Sequence, residues 1–291
     1  MISQLKKIGL FRFAYERAAK RLCGSSLANN EILKGFVDDN GWLFTQPKTG
    51  TNLIASTLAF YNAETLGVKN SSFDDVYKLG VIHGGYIIRD AAGISQALSF
   101  QRLSSQMPII RWHDEIPDAR PELVICTTRP VLDQLASFWN YKYRPQLINV
   151  DKAIPEMMAR FINRNHAQTA AIGRAGRAVI INYDDLIMDP KSCISSIITS
   201  AYGDLDERSL DMALQKSSKT EFRKWEARRG KSAISTELAK YEASFIRSGR
   251  IGEGKDFFSN EQKRVIAKLA ERDGLDLSGK IFLPETAKGL S

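Results

Sequence analysis

The chain carries only three cysteines and three histidines in 291 residues. Cys23, Cys126 and Cys193 are odd in number and far apart, with neither a CxxC pair nor the Cys/His spacing of a zinc site. A disulfide framework and a structural zinc site are therefore excluded, and a reducing compartment is the simplest reading. Also missing is any run of roughly 18 uncharged apolar residues, the length a membrane-spanning helix needs. The opening stretch MISQLKKIGLFRFAYERAAKRL begins like a secretory leader, but Arg12 and Glu16 interrupt its apolar part. It reads instead as a basic helical segment over 1–35 lying on the domain, and the protein as soluble and cytoplasmic. No internal repeat or low-complexity tract occurs. A Walker A phosphate loop is absent too, because the Gly-Lys-Ser triplet at 230–232 has Trp225 where that pattern requires glycine.

What is present is a basic, moderately apolar chain. Hydrophobic residues make up 43%, enough for the core of one large domain over 1–291. Lys plus Arg outnumber Asp plus Glu by 41 to 33, a net +8 that favours anionic ligands without choosing among nucleotide, nucleic acid and lipid headgroup. Short apolar runs alternate with longer segments of helical period, the pattern of an α/β domain. Trp42–Thr45, Ile109–Trp112, Leu123–Thr127 and Ala178–Asn182 read as strands. The expected architecture is a central parallel sheet of about four to five strands flanked by helices. Helices are expected over Thr51–Asn62, Val131–Tyr143, Asp151–Ile172, Pro190–Tyr202, Glu207–Gln215 and Asn260–Arg272, with Pro130 and Pro190 where a first turn tolerates proline. The basic stretch FRKWEARRGK, Phe222–Lys231, lacks a clear apolar face and reads as a solvated loop or helix end, or as a mobile cover over an anion.

The residues just past the strands carry the chemistry, since ligands of open parallel sheets bind beyond the carboxyl ends of strands. QPKTGTN follows the first strand. Its Thr49-Gly50-Thr51-Asn52 turn opens a helix, so backbone N–H groups and the positive end of the helix dipole face an anion there, and Lys48 adds a point charge. Arg129 follows the third strand, with Ser137 two helical turns later, a fork and a hydroxyl able to grip a second phosphate. A third basic segment, RSGRIGEGK, sets Arg247, Arg250 and Lys255 among glycines that allow backbone amides to approach an anion. Separate grips imply a ligand with two phosphate ends.

These segments resemble the cytosolic-type sulfotransferases, which use 3′-phosphoadenosine 5′-phosphosulfate (PAPS). QPKTGTN is similar to the family's 5′-phosphosulfate loop, RPVLDQLASFW to its 3′-phosphate motif, IINYDDLIMDP to its YEDL-xxxP segment and RSGRIGEGK to its RKGxxGxxK, in family order from about residue 40 to 270. The resemblance implies a P-loop NTPase-like fold. It further implies that Lys48, Thr49, Gly50, Thr51 and Asn52 hold the 5′-phosphosulfate, that Arg129, Ser137, Arg247, Ser248 and Gly249 hold the 3′-phosphate, and that Tyr183 and Ser217 lie near the adenosine. Two positions depart from the family: Leu53 stands where a tryptophan packs on the adenine, and Lys219 where an aromatic is usual, with Trp225 or Phe222 as candidate replacements. The family's short dimer motif would begin at Lys255 but reads KDFFSNEQKR, so that dimer contact is expected to be absent, leaving a monomer or a dimer built otherwise.

Transfer of a sulfuryl group to a hydroxyl needs a base for the acceptor proton and a cation for the charge on the leaving oxygen. By the resemblance, His113 after IIRWH is the base, Lys48 the cation and Ser137 its steering partner, no metal is required, and PAP is the product. Asp114 or Glu115 is the rival base, His83 is a candidate lining residue, and His166 is structural or exposed. The expected acceptor is a small hydroxylated molecule, with an amine or a saccharide second. It would lie among variable segments at Val81–Ser105, Arg144–Pro155 and Phe222–Ala243, with Tyr86, Phe100, Trp112, Phe138, Trp139, Tyr141 and Tyr143 as possible lining. Two other readings compete. Asp184-Asp185 imitates the Mg-binding acid of a P-loop kinase, and the basic balance with KWEARRGK suits a non-catalytic RNA or polyanion binder. Against the second, no RNA-binding motif interleaves aromatics with the basic residues, and nucleic acid is not expected as a partner.

Overall fold

The computed structural model describes residues 34–38, 40–74, 80–83, 106–229 and 250–281. The N-terminal segment, Tyr86, Phe100, Arg247, Ser248 and Gly249 lie outside them. The described residues form one five-stranded sheet in which every paired neighbour is parallel. Its strands are β1 (Gly41–Leu43), β2 (Val81–His83), β3 (Ile109–Arg111), β4 (Leu123–Thr128) and β5 (Arg177–Asn182), in spatial order β2-β3-β1-β4-β5. Strand β2 was not expected. It is three residues long and followed by two glycines, too short to show a period. What places it in the sheet is its pairing with β3, in the register Val81↔Ile109.

Residues on both faces of the strands are apolar, as burial under helices on either side requires. Leu43, Ile109, Leu123, Ile125 and Ile181 enter one core with helices α1 (Thr51–Thr65), α5 (Pro190–Tyr202) and α6 (Glu207–Lys216). Their sequence neighbours Trp42, Phe44, Ile110, Val124 and Cys126 turn to the opposite face and pack on α3 (Val150–Arg174). Trp42 and Phe44, two residues apart, stack with centroids 4.2 Å apart. A third cluster joins α2 (Val131–Lys142) and α3 to α8 (Glu253–Phe257) and α9 (Asn260–Arg272). A short helix, α4 (Tyr183–Met188), follows β5 directly, started by the Asn182 side chain accepting from the Asp184 amide at 2.8 Å.

The expected helices appear within a few residues of their predicted ends. The clear departure is in FRKWEARRGK, whose described part, Phe222–Arg229, belongs to helix α7 (Lys219–Arg229). Phe222 is buried there, and Phe73, Phe222 and Trp225 form a ring cluster with centroids 5.2 to 5.6 Å apart. An inner face of two aromatics at i and i+3 suffices to seat the helix, although most of its other residues are charged.

From β1 the chain crosses toward β2, whereas from β4 it proceeds to β5 on the other side, so the sheet switches direction between β1 and β4. The C-terminal turn Asp276–Gly279 closes on this point: Val131 N donates to Leu277 O at 3.0 Å, and Gly279 lies against Arg129 O. Gly279 has φ +77°, and a Cβ there would meet Arg129 O at an impossible 1.9 Å. Gly67 has a similar φ of +66° with nothing nearby. Gly67→Ala should therefore cost about 1 kcal/mol from backbone strain alone, while Gly279→Ala should cost about 3 kcal/mol or more because overpacking adds to it. Urea unfolding of the two variants measures the difference, and equal losses would contradict the packing assigned to Gly279.

Candidate active site

The turn 46–50 leaves β1 and starts α1. Gly50 caps the helix in a left-handed conformation, φ 89°, with no side-chain cap bond, so the first-turn amides of α1 point into the turn. A Cβ on Gly50 would meet the Leu186 side chain at 2.6 Å, and the Tyr183 ring at 3.4 Å, so α4 braces the turn from behind. Lys48 is also left-handed, φ 66°, which is uncommon for a residue with a Cβ. Its ammonium lies 4.7 Å from the centre of the Tyr141 ring on α2.

The threonines of the turn act differently from their sequence reading. Thr49 is fully buried, and its hydroxyl donates its single proton to Gln46 O at 2.6 Å while pairing with the Thr127 hydroxyl of β4. Thr51 pairs with the Thr45 hydroxyl at 2.5 Å. The Thr49 hydroxyl is thus spent within the protein and fastens the turn to β4, while the Thr51 hydroxyl ties the start of α1 to Thr45, which leaves backbone amides for an anion. Asn52 is half-buried in the first turn of α1.

Arg129, just past β4, is 3% exposed. Its guanidinium donates to Lys48 O at 2.8 Å and to Arg250 O at 3.2 Å and lies 4.1 Å from the centre of the Tyr183 ring. Its Nε is buried without a hydrogen-bond partner. Sequence reasoning missed Asp133. This buried carboxylate accepts from Gly252 N at 2.6 Å and Gly254 N at 2.7 Å, so the glycine-rich segment is moored to the start of α2 and those two amides are spent on it. Gly254 has no room for a side chain, since a Cβ would lie 2.2 Å from the Leu132 carbonyl carbon. An aspartate four residues after Arg129 on the buried side of a helix start was the available signal.

Ser137 is half-buried on α2, on the stripe Gln134, Ser137, Tyr141 whose spacing of three and four faces the turn. Ser217 ends α6, buried, with its hydroxyl 2.7 Å from that of Thr57 on α1. His113 is half-buried beyond β3, and its Nδ1 is 3.1 Å from the Thr45 carbonyl. Asp114 is exposed and paired with Arg164 at 3.2 Å, and Glu115 is exposed. His166 is exposed on α3. Of the aromatics considered as lining, Tyr143 is core, Phe138 packs on it, and Trp139 packs on Phe257 with its indole N–H donating to Ile148 O at 3.2 Å. Asp184-Asp185 stand at the end of β5, separated from β1 by β4. Among the described residues no three His, Cys, Asp or Glu side chains group to hold a metal ion.

An open parallel sheet with an uncapped helix N-terminus and a buried arginine at its switch point defines a phosphate-binding α/β protein. Residues 38–279 match the sulfotransferase domain, and the chain belongs to that family. The fold is shared with mouse sulfotransferase SULT7A1, solved with PAP, at 13% identity and a TM-score of 0.54 over 89% of this chain and 92% of that one. It is shared also with retinol dehydratase, solved with androsterone and inactive cofactor PAP, at 15% identity and a TM-score of 0.52 over 81% of this chain and 80% of that one. A second structure of retinol dehydratase, with retinol and PAP, gives 15% identity and a TM-score of 0.51 over 85% and 84%. At these identities the likeness concerns the fold. No curated protein matches the sequence at a significant level.

The field around Arg129 is mixed. Burial pushes the Tyr183 hydroxyl up, with the Arg129 charge opposing. Burial also raises the Asp184 carboxyl, the nearby Asp133 charge adds to this, and Arg129 opposes it. A carboxyl raised in the folded state penalises folding at pH above its raised value, and the penalty disappears as pH falls below its usual value near 3.8. Asp184→Asn should therefore melt higher than the parent protein at pH 7, and the advantage should vanish toward pH 4. Melting curves across that range check it, and a variant that melts lower at pH 7 would contradict the assigned environment.

Proposed function

We propose that the protein transfers the sulfuryl group of PAPS to a hydroxyl of a small molecule by in-line displacement. The observation that carries this reading is Arg129: a buried guanidinium that joins the β1 turn to the glycine-rich segment while its Nε–H has no partner. A buried donor without a partner is costly, about 1–3 kcal/mol, unless a ligand supplies the acceptor. A 3′-phosphate fits that need, and the first-turn amides of α1 with Lys48 fit a 5′-phosphosulfate. Bound there, PAPS supplies an activated sulfuryl group with the bisphosphate PAP as its leaving group.

The chain's own residues then divide the work. His113 Nδ1 donates to the Thr45 carbonyl in the neutral ring, which leaves Nε2 as the basic nitrogen to take the acceptor proton. As the acceptor oxygen bonds to sulfur and the sulfur–oxygen bond to the 5′-phosphate breaks, Lys48 neutralises the charge gathering on that bridging oxygen. Ser137, one helical turn before Tyr141 on the same face of α2, is assigned the steering of the Lys48 ammonium. Asp114 is the less suitably placed base because its exposed carboxylate is engaged by Arg164 at the surface. Free Cys126 and Cys193 support a reducing, cytoplasmic setting. In the segment that would carry the family's dimer motif, Phe258 is buried and Phe257 packs on Trp139, which supports a monomer or a dimer made elsewhere.

Two outcomes follow. The protein should bind PAP at least tenfold to a hundredfold more tightly than AMP or ATP, given about 1.5–3 kcal/mol for each charge-assisted contact. Arg129→Ala should lose most of that preference. Calorimetric titration tests both, and equal affinity for ATP and PAP would sink the sulfotransferase reading. With a competent acceptor, His113→Ala should lower kcat by roughly 10²- to 10⁴-fold with PAP affinity near that of the parent, whereas Lys48→Met should lower kcat by about 10²-fold and weaken PAP as well. Chelating divalent metal should change neither rate. Retention of most activity by a folded His113→Ala protein would move the base to Asp114, Glu115 or His83.

A further inference from the structure

The two carbonyls that flank the Lys48 Cα are each held by a side chain from the β4–α2 corner. Arg129 donates to Lys48 O at 2.8 Å, and Gln134 Nε2 donates to Pro47 O at 3.0 Å. Between those anchored peptide planes Lys48 adopts φ 66°, a conformation that a residue with a Cβ keeps only where its surroundings over-determine it. Gln134 is itself fixed from behind. Its Nε2 also donates to Gln46 Oε1 at 2.8 Å, Gln46 Nε2 donates to Gln168 Oε1 at 3.1 Å, and Gln168 Nε2 donates to the Phe44 carbonyl at 2.7 Å. All three glutamines are at most 3% exposed. The relay ends on a backbone carbonyl at each side, Pro47 and Phe44, so every amide in it has one allowed orientation. It joins β1, α3 and α2 beneath the turn and stores its rigidity at one residue.

We propose that Gln134 is a positioning residue for Lys48. Backed by Gln46 and Gln168, it orients the Pro47–Lys48 peptide so that the lysine side chain runs along the α2 face that carries Ser137 and Tyr141, where the Tyr141 ring receives its ammonium. Without that bond the Pro47–Lys48 peptide is free to rotate, Lys48 relaxes toward a right-handed conformation, and its side chain leaves the path to the 5′ end of the nucleotide. The proposal rests on the sulfotransferase reading, because only a ligand with a 5′-phosphate rewards a directed Lys48.

Binding of PAP and of adenosine 3′-monophosphate, which lacks the 5′-phosphate, separates grip at the turn from grip at Arg129. The parent protein, Gln134→Met, Lys48→Met and the double variant are titrated with both ligands in the calorimeter. Gln134→Met, similar in size but without the donors, should weaken PAP about tenfold and leave the 3′-monophosphate within about twofold. In the Lys48→Met background the same change should alter PAP affinity by less than about twofold, because a residue acting through Lys48 has nothing left to position. Unchanged PAP affinity in Gln134→Met, equal losses for both ligands, or losses that multiply in the double variant would each overturn the proposal. Should Gln134→Met fail to fold, Gln134→Asn, which keeps an amide but cannot reach both acceptors, gives the same comparison. A parent protein that binds both ligands equally would overturn the sulfotransferase reading and the proposal with it.

Discussion

Burying a guanidinium obliges a protein to surround it with acceptors, because the ion cannot shed its charge at any ordinary pH. Arg129 meets that obligation with two backbone carbonyls from segments distant in sequence, Lys48 and Arg250, and with the face of Tyr183. One side chain thereby fixes the spacing between the turn after β1 and the glycine-rich segment before α8. Asp133, one turn along, completes the arrangement by mooring that segment through two amides. The two proposed phosphate grips are thus parts of a single hydrogen-bonded unit, and a ligand whose phosphates are separated by one adenosine can be measured against it.

Small residues make this unit possible. Gly50 admits the side chains of Leu186 and Tyr183, Gly254 lies on the Leu132 backbone, and Gly279 lies on Arg129 O. Each lets a chain segment approach Arg129 or its turn closer than a Cβ would allow. The turn itself is stiffened from beneath by the Thr49–Thr127 pair that reaches β4 and by the three glutamines that reach α2 and α3. Phosphate-cradling amides need such backing, since their value lies in being aimed before the ligand arrives.

Much of this was legible in the sequence. The apolar runs after which Lys48, His113 and Arg129 follow are strands in the structure, and the parallel sheet sets all three past the carboxyl ends of the neighbouring strands β1, β3 and β4. The match of residues 38–279 to the sulfotransferase domain agrees with a resemblance built on ordered short motifs. Other features were out of reach for physical reasons. Val81–His83 is too short to show a period, and only its partner strand makes it a strand. The Phe222 helix hides its inner face among charges because two aromatics are enough to seat it. Gln46, Gln134 and Gln168 lie up to 122 residues apart along the chain, so their adjacency is a product of the fold. The inward turn of the Thr49 hydroxyl likewise depends on Thr127 across the sheet, which no reading of QPKTGTN alone supplies.

A structure of the protein with PAP bound tests the account most directly. In that complex the 3′-phosphate should lie within hydrogen-bond distance of Arg129 Nε, the 5′-phosphate on the first-turn amides of α1 beside the Lys48 ammonium, and the Arg129 bonds to Lys48 O and Arg250 O should be retained. A bisphosphate bound elsewhere, or bound here with its 3′-phosphate away from Arg129, would contradict it.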